Sequence, residues 1–386
     1  MTDSRKRRGA KQNRPRKRHR PKTDDDVLIT TVRKTLAKHP MHLLSVVSRF
    51  ICWSTPQPGP WGKDMEVKSS LESVVAGLVE RRCRETTALL AVLAEMLLGE
   101  DLLQERCRRE VATRNVHLPK WIVELGHVEV RGVMRRTDVL GDGDELAIGL
   151  LLPGAVEMTL GAFLDHNALS VVTDVAVLAQ PLDRSLARAR EGVDSATTFV
   201  DTDPADARLW IESGLTRAEW FPQPDGWREG LPLVRWLLAQ LPGGGTAYAG
   251  PEWDDDAVSE LLDGFFASPE GAPFTNVGYR ELLLELCATG WGDPSRWGTH
   301  RLSDILRYPF RDDHVPLEIA LDTPALLRAY IPFVHANSRI RQDLTDEAIT
   351  AIDEESLRFK RALLAEASEH DDLDFPPWGS STNQAS

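Results

Sequence analysis

Apolar residues recur at helical spacing along the first third of the chain. Within residues 41–53 they stand three and four positions apart, which places them on one face of a helix. The members of this face are Leu43, Leu44, Val47, Phe50 and Ile51. The stretch STPQPGPWG at 54–62 cannot continue the helix, because three prolines and two glycines interrupt it. With further amphipathic segments on both sides, the pattern predicts an N-terminal helical module over residues 27–120.

Near residue 121 the hydrophobic period changes from about 3.6 to 2, which is typical of a half-buried strand. Val128, Val130, Gly132 and Met134 would then share one face of the first strand. Three more strands are predicted at 145–152, 156–164 and 169–178. Tight connections separate them, including the turn GDGD at 141–144 and Asp165-His166-Asn167. Residues 121–181 are therefore predicted to form an antiparallel meander of about four strands.

Beyond Pro181 the helical period returns and continues almost to the end of the chain. It predicts helices at 182–191, 204–214, 227–241, 257–267, 279–289, 324–335 and 346–368. The run PGGGT suggests a joint at 242–252 between a middle helical segment, 182–241, and a C-terminal helical unit, 253–369. Residues 370–386 are acidic and polar, and we expect a disordered tail. The predicted fold class is α+β, predominantly helical with one small antiparallel meander.

Charge divides the chain into two regions of opposite sign. The 386 residues carry a formal net charge of −13, yet residues 1–22 hold eleven Lys/Arg and one Asp, leaving −23 on the rest. Like-charge repulsion and two prolines predict a disordered basic arm over residues 1–26. Its cationic residues are Arg5, Lys6, Arg7, Arg8, Lys11, Arg14, Arg16, Lys17, Arg18, Arg20 and Lys22.

Such an arm is suited to a polyanion. It contains no aromatic side chain for base stacking, so we expect weak, non-specific nucleic-acid contact through residues 5–22. Two alternatives stay open: the arm could serve as a solubility tail, or it could fold back onto the protein's own acidic surface.

The composition argues for a cytoplasmic protein without a membrane partner. The longest apolar runs, at 89–98 and 147–153, are much shorter than the roughly 20 residues that span a bilayer. No apolar segment of a secretory signal follows the basic arm. The four cysteines lack CxxC spacing, which favours reduced thiols over a disulfide framework or a zinc site.

The best candidate for chemistry is Asp165-His166-Asn167, with Asp174 nine positions after Asp165. A carboxylate beside an imidazole can orient it as a base or help it bind a metal. The alternative is structural, because Asp and Asn commonly form turns between strands. The acidic run at 141–145 lacks the ligand spacing of a calcium loop, so a hairpin turn is favoured there. No phosphate-binding loop, dinucleotide fingerprint or HExxH motif occurs, and we predict no cofactor and no metal site.

Four segments resemble a family of uncharacterised bacterial proteins with no assigned activity. They are HPMHLLSVVS (39–48), RETTALLAVLAEML (84–97), FLDHN (163–167) with VVTDVAV after it, and TPALLRAYIPFVH (323–335). The resemblance extends over about 39–365 and implies an architecture without a reaction. The family's Asp-His-Asn segment corresponds to Asp165, His166 and Asn167. Residues 297–321 depart from the pattern because they are less apolar than that helical region should be.

These observations favour a non-enzymatic intracellular interaction or adaptor protein, whose partner would be a protein or, through the arm, a nucleic acid. The competing hypothesis is a hydrolase-type or metal-dependent enzyme centred on the Asp165-His166-Asn167 turn. In that case His166 would act as the base and Asp165 or Asp174 would orient it, with a nucleophile or metal still to be found.

Overall fold

A computed structural model describes residues 24–58, 64–65, 69–193, 195–221, 226–290, 292–308 and 315–373. The predictions for the arm at residues 1–23 and for the tail at 374–386 lie outside the described residues. At both ends the helical region is longer than the sequence predicted. The first helix begins at Asp24, and the last one continues to Leu373, past the predicted start of the tail at residue 370.

The N-terminal part is helical, as the apolar spacing predicts. Its helices are α1 (Asp24–Thr35), α2 (Met41–Ser54), α3 (Leu71–Glu80), α4 (Arg84–Met96), α5 (Asp101–Thr113) and α6 (Lys120–Val123). Two short strands, β1 (Gln57–Pro58) and β2 (Asp64–Met65), pair between α2 and α3. Helix α4 lies at the centre and is buried on nearly every side, as expected for a helix that is hydrophobic all round.

A five-stranded antiparallel sheet follows, in the order β6-β5-β4-β3-β7. Its strands are β3 (Glu129–Asp138), β4 (Gly143–Leu152), β5 (Val156–Asp165), β6 (Val171–Leu178) and β7 (Thr197–Asp201). The predicted α+β class with a small antiparallel sheet is confirmed, but there are five strands instead of about four. The fifth strand, β7, was not predicted; it lies in the middle segment 182–241, between the predicted helices at 182–191 and 204–214. This edge strand is mostly exposed, so its sequence lacks a strong alternation of buried and exposed positions.

The predicted common face of β3 is interrupted by a bulge between Val130 and Gly132. The bulge shifts the alternation by one residue, and Val133, instead of Gly132, is buried against the core. The next helix, α7 (Leu182–Ala189), packs against β4 and β5. A Cβ at Gly149 would lie only 2.9 Å from the Cβ of Leu182, so the glycine permits that close approach.

The remaining helices are α8 (Pro204–Ala218), α9 (Trp227–Leu238), α10 (Asp255–Phe266), α11 (Val277–Ala288), α12 (Thr299–Arg307), α13 (Leu317–Ala320), α14 (Thr323–Asn337) and α15 (Gln342–Leu373). The described residues form two hydrophobic cores. The first joins the N-terminal helices to the sheet, α8 and α9. The second lies within the C-terminal helices from α10 onward. Among the described residues, no helix combines the length and apolarity needed to cross a membrane.

Helices α2 and α9 are joined by one buried hydroxyl. Pro232 interrupts α9, and Ser48 of α2 inserts its side chain there. Its Oγ donates to the carbonyl of Glu229 at 2.6 Å and accepts from the backbone N–H of Leu233 at 3.1 Å. The hydroxyl therefore replaces a backbone hydrogen bond of α9 and satisfies both groups at the interruption.

A buried guanidinium organises the second core. Arg301 of α12 is only 2% exposed and lies over the ring of Trp297 at 3.9 Å. Its Nη2 donates to the carbonyls of Leu286 and Cys287 at the end of α11. Its Nη1 donates to the carbonyls of residues 293 and 296 in the connection to α12. One side chain thus satisfies four backbone acceptors and fixes α12 against α11.

Replacing Arg301 by Met should lower the free energy of unfolding by about 3–5 kcal/mol, because buried carbonyls would lose their donors. Arg301→Lys should recover little of it, since an ammonium group cannot reproduce the planar fork. Urea unfolding followed by circular dichroism measures both. Arg307→Met on the same helix, where the arginine is half-exposed, is the matched control and should unfold like the wild type. Equal losses at the two positions would contradict this role for Arg301.

Candidate functional site

Two turns at one end of the sheet face the N-terminus of α12. The β3–β4 turn contains Asp142, whose carbonyl accepts from the N–H of His166 at 3.0 Å. The second turn, a 3-10 helix over His166–Ala168, follows β5. The Asp165 carboxylate begins it by accepting from the N–H of Asn167 at 3.0 Å. These bonds hold Asp142, Asp165, His166 and Asn167 together.

His166 is buried inside this end of the sheet, with 2% of its surface exposed. Its Nδ1 lies 2.8 Å from the hydroxyl of Ser170, and its Nε2 lies 3.3 Å from Oδ2 of Asp144. The ring stacks on Tyr248 at 4.4 Å between centroids. The imidazole is therefore held between a carboxylate and a hydroxyl, with an aromatic ring covering one face.

Asp144 is a buried carboxylate, 1% exposed. Burial alone would raise its pKa, but hydrogen bonds from His166 and Thr137 and the charge of Arg135 outweigh burial and lower the pKa below its usual value. The guanidinium of Arg135 lies 3.3 Å from Oδ2. Asp144 is thus ionised at neutral pH. An ionised acceptor at Nε2 favours the tautomer with a proton on that nitrogen, which leaves Nδ1 to accept from Ser170.

The backbone after the 3-10 turn has an uncommon conformation. Leu169 and Ser170 have φ values of +61° and +56°, a left-handed region that costs an L-residue roughly 1–2 kcal/mol. Arg217 of α8 donates from Nη1 to both of their carbonyls, at 2.9 and 3.0 Å. A Cβ at Gly214 would lie 2.9 Å from the Ser170 carbonyl oxygen, so α8 approaches closely only because of the glycine. The neighbouring helix therefore holds two strained residues in place.

A second group of polar side chains, from buried Asp165 to exposed His300, lies where the same turns meet α12. Asn167 donates from Nδ2 to Asp142 at 3.0 Å and lies 3.4 Å from Nδ1 of His300 on α12. His300 is 3.8 Å from the Asp165 carboxylate and 4.0 Å from that of Asp304. Burial raises the pKa of Asp142 to about 6, although the Asn167 hydrogen bond opposes the rise. Burial also raises the pKa of Asp165, and the positive charge of His300 counteracts it.

Glycines on the C-terminal side allow the turns to approach α11 and α12. A Cβ at Gly298, just before α12, would overlap the Asp142 carboxylate. At Gly290, where φ is +59°, a Cβ would lie 2.7 Å from Oδ1 of Asn167. Substitution at Gly298 would therefore displace the Asp142 carboxylate, and substitution at Gly290 would displace the Asn167 side chain.

A cavity of about 460 Å³ opens beside Asn167. Its apolar lining comes mainly from α11, α12 and α15, and Asn167 is the contribution of the sheet. The lining residues are Asn167, Leu282, Glu285, Leu286, Ala288, Thr289, Gly290, Arg301, Asp304, Ile305, Tyr308, Val315, Ala320, Thr323, Phe359 and Leu363. The volume falls within the range of small-molecule sites, about 300–1,000 Å³.

The structure brings only some of the sequence-predicted site residues together. Asp165 and His166 are adjacent, but the Asp165 carboxylate faces Asn167 and His300. Asp174 lies elsewhere, in a separate cavity of about 360 Å³ bordered by α2 and α9. The eleven cationic positions of the arm, Arg5 to Lys22, lie outside the described residues. In the part of the chain that the structure describes, no group of three or more His, Cys, Asp or Glu side chains could hold a metal ion.

Sequence reasoning missed the two direct partners of His166. Asp144 was assigned to a tight turn, whereas β4 already begins at Gly143. Ser170 was placed inside a predicted strand, whereas β6 begins one residue later. The ladder pairs Gly143 with Asp165, so a correct strand register would have placed Asp144 next to the His166 turn. No local motif indicated Ser170.

Comparisons with protein-family models, curated proteins and solved structures found no match to this chain. The resemblance of residues 39–365 to a bacterial family therefore adds nothing to the argument from geometry.

Replacing Asp142 by Asn should make stability less dependent on pH. The folded-state pKa of about 6 exceeds the usual 3.8, so the folded protein binds this proton more tightly than the unfolded chain. The cost of ionising Asp142 is therefore absent near pH 4 and complete above pH 6. Because the side chain is partly exposed, we expect Asp142→Asn to stabilise by about 1–2 kcal/mol at pH 7.5 and not at pH 4.5.

Chemical unfolding of the variant and the wild type at both pH values measures this effect. Asp174→Asn, which changes an exposed carboxylate on β6, is the control and should follow the wild type at each pH. An equal effect of Asp142→Asn at pH 4.5 and 7.5 would contradict a raised pKa.

Proposed function

We propose that this protein acts as an interaction protein, and that the cavity beside Asn167 receives an apolar ligand or an apolar side chain of a protein partner. The cavity itself is the observation that supports this function. At about 460 Å³ it is the largest of the four cavities described. Leu286, Phe359 and Leu363 form buried parts of its wall, so an apolar group entering it would leave water.

Polar groups near the opening could orient the bound group. Glu285, Asp304 and Asn167 line the cavity together with the exposed Tyr308. Asn167 also contacts Asp142 and lies against Gly290. A ligand that displaces Asn167 would therefore alter the contact between the sheet turns and the second core, which links occupancy of the cavity to the packing of the two parts.

A neutral apolar dye such as Nile red should bind the full-length protein with saturable, one-to-one fluorescence enhancement. Two substitutions should weaken this binding by ~10-fold or more. Leu363→Trp fills the cavity from α15, and Ala288→Trp blocks it from the exposed end of α11. Fluorescence titration of each variant provides the measurement.

Leu364→Trp is the matched control, because Leu364 is the next residue of α15 and is 47% exposed. It should bind the dye like the wild type. Leu363 is buried, so Leu363→Trp could misfold. Ala288→Trp then still tests the cavity, because Ala288 lies at the surface and tolerates a larger side chain. If both blocking variants bind as tightly as the control, the cavity is not the binding site.

Weak contact with a polyanion is a second candidate function, and the charge distribution favours it. Residues 1–22 carry +10 and the rest carries −23, so the body would repel a nucleic acid and the arm would have to make the contact. A cytoplasmic location fits both functions, because the four cysteines are free thiols, and Cys52, Cys107 and Cys287 are buried.

Deleting residues 2–22 should abolish binding to duplex DNA or RNA. If about six of the cationic side chains pair with phosphates, log K for the full chain should fall with log salt concentration at a slope near −5. Fluorescence anisotropy with a labelled duplex over a salt series measures both quantities. Equal binding by the shortened protein would exclude the arm as the contact. Binding that does not change with salt would exclude an electrostatic contact.

A further inference from the structure

One hydroxyl group has the surroundings of an activated nucleophile, and it lies outside the cavity described above. Ser170 follows the 3-10 turn, and its Oγ is 2.8 Å from Nδ1 of His166. The opposite ring nitrogen is 3.3 Å from the buried Asp144 carboxylate. A carboxylate, an imidazole and a hydroxyl are thus arranged in sequence, each within reach of the next. This is the arrangement by which a base activates a serine.

The protonation states suit the same role. Asp144 is ionised, because its hydrogen bonds and Arg135 outweigh the cost of its burial. It favours a proton on Nε2 of His166, which leaves the Nδ1 lone pair directed at the Ser170 hydroxyl. Tyr248 stacks on the imidazole and shields it from water. The base is therefore buried, and its Nδ1 lies within hydrogen-bond distance of the serine hydroxyl.

The backbone and the surface around Ser170 provide two further observations. Ser170 has a φ of +56°, and strained residues of this kind concentrate at functional sites. Arg217 fixes the turn to α8. Leu169, the preceding residue, is 71% exposed, and Trp220 and Phe221, just beyond the end of α8, are 88% and 42% exposed. The exposed Leu169 side chain, next to Ser170 in the chain, favours an apolar group on the substrate.

We propose that Ser170 is the nucleophile of an acyl-ester hydrolase site, with His166 as general base and Asp144 as the residue that positions it. The Ser170 oxygen attacks the ester carbonyl carbon, and its proton passes to Nδ1 of His166. The bond to the alcohol oxygen then breaks, and that oxygen takes the proton from Nδ1. Water attacks the resulting acyl-serine, gives a proton to Nδ1, and releases the acid as the proton returns to Oγ.

This site supplies the nucleophile that the enzyme hypothesis lacked, and it assigns the orienting carboxylate to Asp144 in place of Asp165 or Asp174. It does not depend on the cavity. The substrate class is an ester of a small apolar acid, for which p-nitrophenyl butyrate is a suitable probe.

The full-length protein should react with a fluorophosphonate probe, in which the Ser170 oxygen displaces fluoride from phosphorus. Peptide mapping by mass spectrometry should locate the label on Ser170. Ser170→Ala should abolish labelling and p-nitrophenyl butyrate hydrolysis. His166→Gln and Asp144→Asn should each slow labelling by ~100-fold or more. The wild-type rate should fall on acidification, because a general base must be unprotonated to accept the serine proton.

Ser368→Ala, which removes an exposed hydroxyl on α15, is the matched control and should label like the wild type. Ala288→Trp should also label normally, because it blocks only the cavity and so separates this proposal from the proposed binding function. Circular dichroism verifies the folding of each variant. If a variant misfolds, two measurements on the wild-type protein still test the proposal: which residue carries the label, and how the rate depends on pH. The proposal would be overturned by an unlabelled folded protein, by a label on another residue, or by His166→Gln labelling at the wild-type rate.

Discussion

The buried carboxylate of Asp144 is the constraint on which the end of the sheet depends. A carboxylate that is only 1% exposed destabilises the fold unless hydrogen-bond donors surround it. His166 and Arg135 contact it from neighbouring strands and turns. Asp144 fixes the imidazole of His166, and the other nitrogen of that ring contacts the Ser170 hydroxyl. The position of Ser170 therefore depends on Asp144 as well. Removal of the carboxylate would therefore take an acceptor from both His166 and Arg135 and loosen the ring that contacts Ser170.

That constraint extends to the second core through Asn167, the residue directly after His166. Asn167 bonds to Asp142 and contacts Gly290 at the end of α11, while Asp142 reaches Gly298 before α12. Burial at this contact raises the pKa of the Asp142 carboxyl, although the Asn167 hydrogen bond opposes the rise. In the C-terminal unit, buried Arg301 holds α11 against α12 by donating to backbone carbonyls of α11 and of the connection to α12. The contact between the sheet turns and the second core thus depends on two polar groups. Half-buried Asp142 lies on the side of the sheet, and buried Arg301 lies on the side of the C-terminal helices.

Much of the fold could be predicted from periodicity because most elements bury one face. The apolar positions of α2 indicated its helix, and the change of period at residue 121 indicated the sheet. Periodicity failed at β7, which is an exposed edge strand, and at α12. The buried side of α12 includes Arg301, a residue that a hydrophobic pattern counts as polar. The bulge before Gly132 also depends on tertiary contacts that no single strand reveals.

The candidate site was harder to predict than the fold. The sequence directed attention to His166, but the partners it suggested, Asp165 and Asp174, were chosen by closeness along the chain. The actual partners depend on register. Asp144 reaches His166 because β4 pairs with β5 from Gly143 onward, and Ser170 reaches it because the turn has an uncommon backbone conformation. Neither relation is encoded in a local motif.

The cavity and the Ser170 site share one short turn, and this has a mechanical consequence. His166 and Asn167 are consecutive residues of the same 3-10 helix; the first contacts Ser170 and the second lines the cavity. A shift of Asn167 on binding would move the backbone that carries His166. The contact between His166 and Ser170 depends on hydrogen-bond geometry that weakens steeply with angle. Only a ligand that displaces Asn167 would therefore alter the reactivity of Ser170, through two adjacent peptide units. Ala288→Trp blocks the cavity from α11 and should leave Asn167 in place.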